Sequence, residues 1–138
     1  MLRTRIVLAI GALALATVGC SSNSSSAEGG VAATEQDFAI SVASSSAPAG
    51  DVTFTITNNG PSTHEFLVVH SDEDPGSLTV DDNGVVPEDD LDVVDEQEEI
   101  APGTAPSLTV SLEAGSYILM CNLPGHYQQG MHTGFTVT

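Results

Sequence analysis

The run Tyr117-Ile118-Leu119-Met120-Cys121-Asn122-Leu123-Pro124-Gly125-His126-Tyr127-Gln128-Gln129-Gly130-Met131 carries a strand-like apolar segment into a short loop bearing a thiol, an imidazole and a thioether. Tyr117 to Met120 has the aromatic and bulky aliphatic character of a buried strand. Beyond the loop, Phe135 and Val137 alternate as a closing strand does. Between them, Pro124-Gly125 predicts a tight turn, because Pro fixes one φ and Gly accepts conformations that other residues resist. A strand ending at Cys121 can point its sulfur into the end of a sandwich, and such a turn brings His126 back to the same place.

Upstream, the same alternation recurs. Phe38, Ile40 and Val42 share one parity; Val52, Phe54 and Ile56 share another, with Thr53, Thr55 and Thr57 on the opposite face. Asn58-Asn59-Gly60-Pro61 breaks that strand, Glu65 to Val69 is an apolar β-rich run, and Leu108, Val110 and Leu112 alternate before Ala114-Gly115 turns into Tyr117. Six or seven short strands without a long amphipathic helix predict an all-β chain, an antiparallel β-sandwich. Roughly 100 residues suffice for its core. The middle differs: Ser71–Glu99 holds 13 of the 19 acidic residues. Pro87 followed by acids, with Leu91 and Val94 at helical spacing, allows a short helix at about 87–98; a solvated insertion between strands is the other reading.

The loop chemistry points to a metal. Two His and one Cys in a plane, with a weak axial Met, form the ligand set of a mononuclear type 1 (blue) copper centre. Cys121, His126 and Met131 supply three of the four. His64 is the expected fourth, because it shares parity with Phe66 and Val68 and so faces the core side of its strand. His70, beside the acidic segment, reads as a surface residue, and His132, adjoining Met131 in an extended chain, as non-ligating. Four His in total cannot supply this site together with a multicopper oxidase cluster.

Arg3 and Arg5 precede an apolar run from Ile6 to Ala16, too short to span a bilayer and typical of an export signal. The segment Thr17-Val18-Gly19-Cys20 resembles the end of a bacterial lipoprotein signal, although Thr17 stands where Leu is usual. An ordinary signal and an uncleaved anchor are the alternatives. The expected organisation is a signal at 1–19, a Ser-rich linker at 20–34 lipidated on Cys20, and a folded domain at 35–138. Removal of 1–19 leaves Cys121 without a disulfide partner in an oxidising compartment, where metal ligation would protect it. It also removes every Lys and Arg, which excludes charge-driven binding to nucleic acid or anionic lipid.

With these residues assembled, Asp51–Thr138 resembles the cupredoxins, the small blue-copper proteins. The likeness rests on Asn59-Gly60 through His64-Glu65-Phe66, on Ala114-Gly115-Ser116-Tyr117, and on the Cys-Asn-Leu-Pro-Gly-His-Tyr core at 121–127. The resemblance implies a Greek-key sandwich with copper at one end, His64, Cys121 and His126 as equatorial ligands, and Met131 as the axial one. It implies an electron carrier, not an enzyme, whose His126 edge passes the electron within an apolar patch of Leu123, Pro124 and Pro61. In the family the residue after the first His is often Asn and ties the two ligand loops; here it is Glu65, which puts the side-chain tie in question. The expected protein is a monomer, exported and lipid-anchored on the outer face of a bacterial-type membrane. Its expected partners are cationic redox proteins, such as a cytochrome or an oxidase subunit. Copper storage or delivery is the alternative function.

Overall fold

Val52, Phe54 and Ile56 are fully buried while Thr53 and Thr55 face outward, so the strand that carries them contributes one side to the interior and one to solvent. The computed structural model describes residues 30–138. Its strands are β1 (Gly30–Gln36), β2 (Ala39–Val42), β3 (Ser46–Ala47), β4 (Gly50–Asn58), β5 (His64–His70), β6 (Val93–Ile100), β7 (Ser107–Leu112), β8 (Gly115–Met120) and β9 (His132–Val137). They form two sheets, of order β2-β1-β4-β7 and β3-β9-β8-β5-β6. Phe54 of the first sheet packs against Phe66 and Phe135 of the second, each at 5.3 Å between ring centroids, at the centre of the core. Among the described residues no helix is long and apolar enough to cross a membrane.

The alternation predicts an antiparallel sandwich, but two of the strand pairs are parallel. β1 pairs parallel with β4, and β3 parallel with β9. After the β1–β2 hairpin the chain crosses to the second sheet with β3 and returns beside β1 with β4, and that crossover gives β4 the direction of β1.

The domain also begins earlier than expected. β1 starts at Gly30, so residues 30–34 belong to a sheet and not to a linker. Val31 and Ala33 are small but buried, and the parallel ladder to β4 supplies the backbone bonds that their modest side chains do not advertise. The signal expected at 1–19 and the lipidation expected on Cys20 lie outside the described residues.

The acidic middle is a cover, and the helix expected at 87–98 is reduced to a single 3-10 turn at Glu88–Asp90. A helix there would stack carboxylates at i, i+3 and i+4. The chain instead extends from Val93 and pairs with β5, leaving Glu96, Glu98 and Glu99 along an exposed sheet edge. Leu78, Val80, Val86, Leu91 and Val93 pack over Leu67, Val69, Ile118 and Met120 on the outer face of the second sheet. This explains why Glu65 to Val69 reads as a continuous apolar run: both faces of β5 are covered. Two register shifts interrupt the β5–β6 ladder, one of them at Glu99 with φ 52, beside the end that carries His64.

Candidate metal centre

At one end of the sandwich three segments converge. His64 opens β5 and is fully buried; Cys121 follows the last residue of β8 and is fully buried; His126 lies five residues on, half-buried, at the start of a 3-10 turn. Gly125, with φ 78, makes the turn that carries the chain from Cys121 back to His126. One ligand atom from each residue lies within 4.8 Å of the other two. The Nδ1 atoms of His64 and His126 are 3.3 Å apart, and Cys121 Sγ is 3.4 Å from His126 Nδ1. Met131, fully buried, is tied to both: Cys121 N–H donates to its carbonyl at 3.0 Å, and its own N–H donates to His126 O at 3.1 Å.

The electrostatics are those of a site stripped of water. Burial pushes the Cys121 thiol up to about 12, against two backbone N–H groups, of Glu65 and Leu123, that aim at the sulfur and favour the thiolate. Without a cation the sulfur therefore keeps its proton, and ligation must displace it. Burial lowers the pKa of His64, and the adjoining His126 lowers it further, so His64 is held neutral with a lone pair to give. A soft sulfur and two neutral imidazole nitrogens in a buried cluster are the donors that copper takes. They fit one copper ion.

The tie between ligand loops that Glu65 had put in question is made by its carboxylate, which accepts from Asn122 N–H at 2.9 Å. Burial raises the pKa of Glu65. Asn122, which the sequence did not single out, does more: its Oδ1 accepts from Val86 N–H at 2.8 Å and its Nδ2 donates to Val86 O at 2.9 Å. The acidic segment is thereby clamped to the ligand loop, and Gly125 N–H donates to Gly84 O at 3.1 Å beside that clamp.

Phe38 shares the parity of Ile40 but not its burial: it sits in the β1–β2 turn with φ 67, 42% exposed, its ring edge-on to His126 at 5.8 Å. The remaining histidines stay away from the centre: His70 faces Asp92 at the surface, and His132 packs on the Tyr127 ring at 4.9 Å.

The sequence profile of the cupredoxin-like domain matches residues 9–133. The chain is a cupredoxin. Solved structures that share this cupredoxin's fold include auracyanin from Roseiflexus castenholzii, reduced with Na-dithionite (TM-score 0.62, 22% identity, 80% of this chain and 97% of that one). Others are rusticyanin from Thiobacillus ferrooxidans (0.58, 19%, 79% and 76%) and the azurin Az-iso2 from Methylomonas sp. strain J (0.58, 23%, 79% and 97%). No curated protein matches the cupredoxin by sequence.

Proposed function

We infer that this cupredoxin is an exported carrier of single electrons with one mononuclear type 1 copper centre, and that it transforms no substrate. The observation that carries the reading is the buried convergence of His64 Nδ1, His126 Nδ1 and Cys121 Sγ. These three would hold the ion, with Met131 as a fourth, weaker donor. Copper, when bound, supplies the one-electron Cu(I)/Cu(II) couple.

The chain's own residues do the rest. Peptide N–H groups of Glu65 and Leu123 fix the sulfur, and the hydrogen bonds joining Cys121, His126 and Met131 hold the loop in one shape. A site so braced has little freedom to rearrange when its charge changes, which favours fast transfer. Burial of His64 and Cys121 excludes water, whereas the half-exposed His126 reaches the surface beside Phe38 and gives the electron a short way out. The acidic charge of the segment clamped beside it suits a cationic redox partner. Two acyl chains or more on Cys20 would anchor the protein to the outer face of a membrane, one chain alone being marginal. Mass spectrometry of the mature N-terminus tests the anchor.

The copper-loaded protein should show an intense thiolate-to-copper charge-transfer band in the visible, bleached by reduction and restored by oxidation. Cys121→Ser should abolish it, since a hydroxyl does not replace the soft sulfur. Stoichiometric copper without the band would overturn the carrier reading in favour of storage or delivery.

A further inference from the structure

The β1–β2 turn reaches the copper end of the molecule with a group that the ligand set does not use. Asp37 Oδ1 lies 3.3 Å from His64 Nε2, the ring nitrogen turned away from Cys121 and His126. Both atoms are buried, and among the described residues neither has a hydrogen-bond partner elsewhere, although the contact is not yet aligned as a hydrogen bond. Leaving such a pair unmet is costly for both groups, so a small ring rotation that joins them is favoured. The carboxylate is itself held in place. Ser62 Oγ–H donates to Asp37 Oδ2 at 2.9 Å, and the left-handed φ of 67 at Phe38 turns the chain at this point. Space is reserved for the pair as well: a Cβ at Gly60 would stand 2.7 Å from Asp37 Oδ1 and 3.1 Å from His64 Nε2.

We propose that Asp37 is a positioning residue for His64: it takes the Nε2 proton as a hydrogen-bond acceptor, fixes the tautomer that leaves Nδ1 free, and makes that nitrogen a stronger donor. A partly buried carboxylate behind a ligand imidazole adds negative charge close to the centre, which stabilises Cu(II) over Cu(I) and lowers the reduction potential. The proposal rests on the copper-centre reading for its redox consequence, but the tautomer claim stands on the apo-protein alone.

Two variants separate charge from hydrogen bonding. Asp37→Asn keeps an acceptor oxygen and the side-chain shape but removes the charge; Asp37→Ala removes both. Asp37→Asn should retain the charge-transfer band while its preference for Cu(II) falls about tenfold, a rise of about 59 mV in a one-electron potential by voltammetry. Asp37→Ala should raise the potential at least as far and weaken copper binding. In the apo-protein, nitrogen-15 NMR of His64 should show the Nε2–H tautomer in the wild type and in Asp37→Asn, and a mixture of tautomers in Asp37→Ala. Unchanged potentials in both folded variants would overturn the electrostatic role, and an unchanged His64 tautomer in Asp37→Ala would overturn the positioning role. A wild type with no charge-transfer band would defeat the copper reading, yet the NMR comparison would still decide whether Asp37 positions His64.

Discussion

Individual residues at the metal end are chosen by what stands immediately behind them. Gly60 is buried against Asp37, whose backbone N is 3.0 Å and whose Oδ1 is 2.7 Å from the position of a Cβ. Gly60→Ala must therefore push either the β1–β2 turn or the carboxylate aside, an overpacking cost of about 1–3 kcal/mol. Denaturant unfolding of the apo-protein measures it, and a change within error of zero would mean that the turn yields freely. Glu65 is a case of substituted chemistry: a carboxylate oxygen accepts from Asn122 N–H where the family more often places an amide. That bond survives because the acceptor oxygen is what the loop needs, and Glu provides one.

Single elements carry two unusual polar commitments. β1 presents Glu35 on the same inward face as Val31 and Ala33, fully buried, with neither carboxylate oxygen hydrogen-bonded among the described residues. Burial, reinforced by Glu65, raises its pKa from 4.5 to about 8. A raised carboxyl binds its proton more tightly in the folded state, so its contribution is present at low pH and is lost as pH climbs through that window. Stability of the apo-protein should fall by up to roughly 1.4 kcal/mol per pH unit between those values. Glu35→Gln should flatten this slope and leave the protein more stable than wild type at about pH 8, as urea unfolding at several pH values would show. The second commitment is the Asn122–Val86 clamp. Asn122→Ala strands a buried N–H and a buried carbonyl of Val86, at a cost of about 2–4 kcal/mol. Faster hydrogen exchange at the Val86 amide would locate the loss in the acidic segment.

At the scale of the whole molecule, a formal net charge of −17, with both basic residues at Arg3 and Arg5, surrounds the domain with a strongly negative field. The loop Asp81–Val86 rests on the ligand loop through Gly84 and Val86, so part of that charge sits beside His126. Electron exchange with a basic cytochrome should slow steeply as salt rises, because the Debye length falls to about 8 Å at physiological ionic strength. Neutralising Asp82 and Glu88, both exposed, should soften that dependence. Asp81 is a poor target, since its Oδ1 accepts from the N–H groups of Asn83 and Val85 and holds the loop together. A stopped-flow rate that is flat with salt would assign the acidity to solubility alone.

Periodicity and local chemistry determined a great deal without coordinates. Two-residue alternation in Val52–Ile56 and Leu108–Leu112 marked strands with one buried face, and Cys121, Pro124-Gly125, His126 and Met131 marked a ligand loop, because these signals lie within a few neighbouring residues. His64 was legible through parity with Phe66. Tertiary structure alone decided matters that depend on distant segments meeting. It put Asp37 behind His64, Phe38 beside His126 and Asn122 against Val86, contacts that no local pattern encodes. It turned 93–100 into a strand, since β5 offered a ladder that outweighed the helical spacing of Leu91 and Val94. It also drew residues 30–34 into a sheet: small Ala and Thr side chains give a weak hydrophobic signal, and only the neighbouring β4 provides the hydrogen bonds that order them.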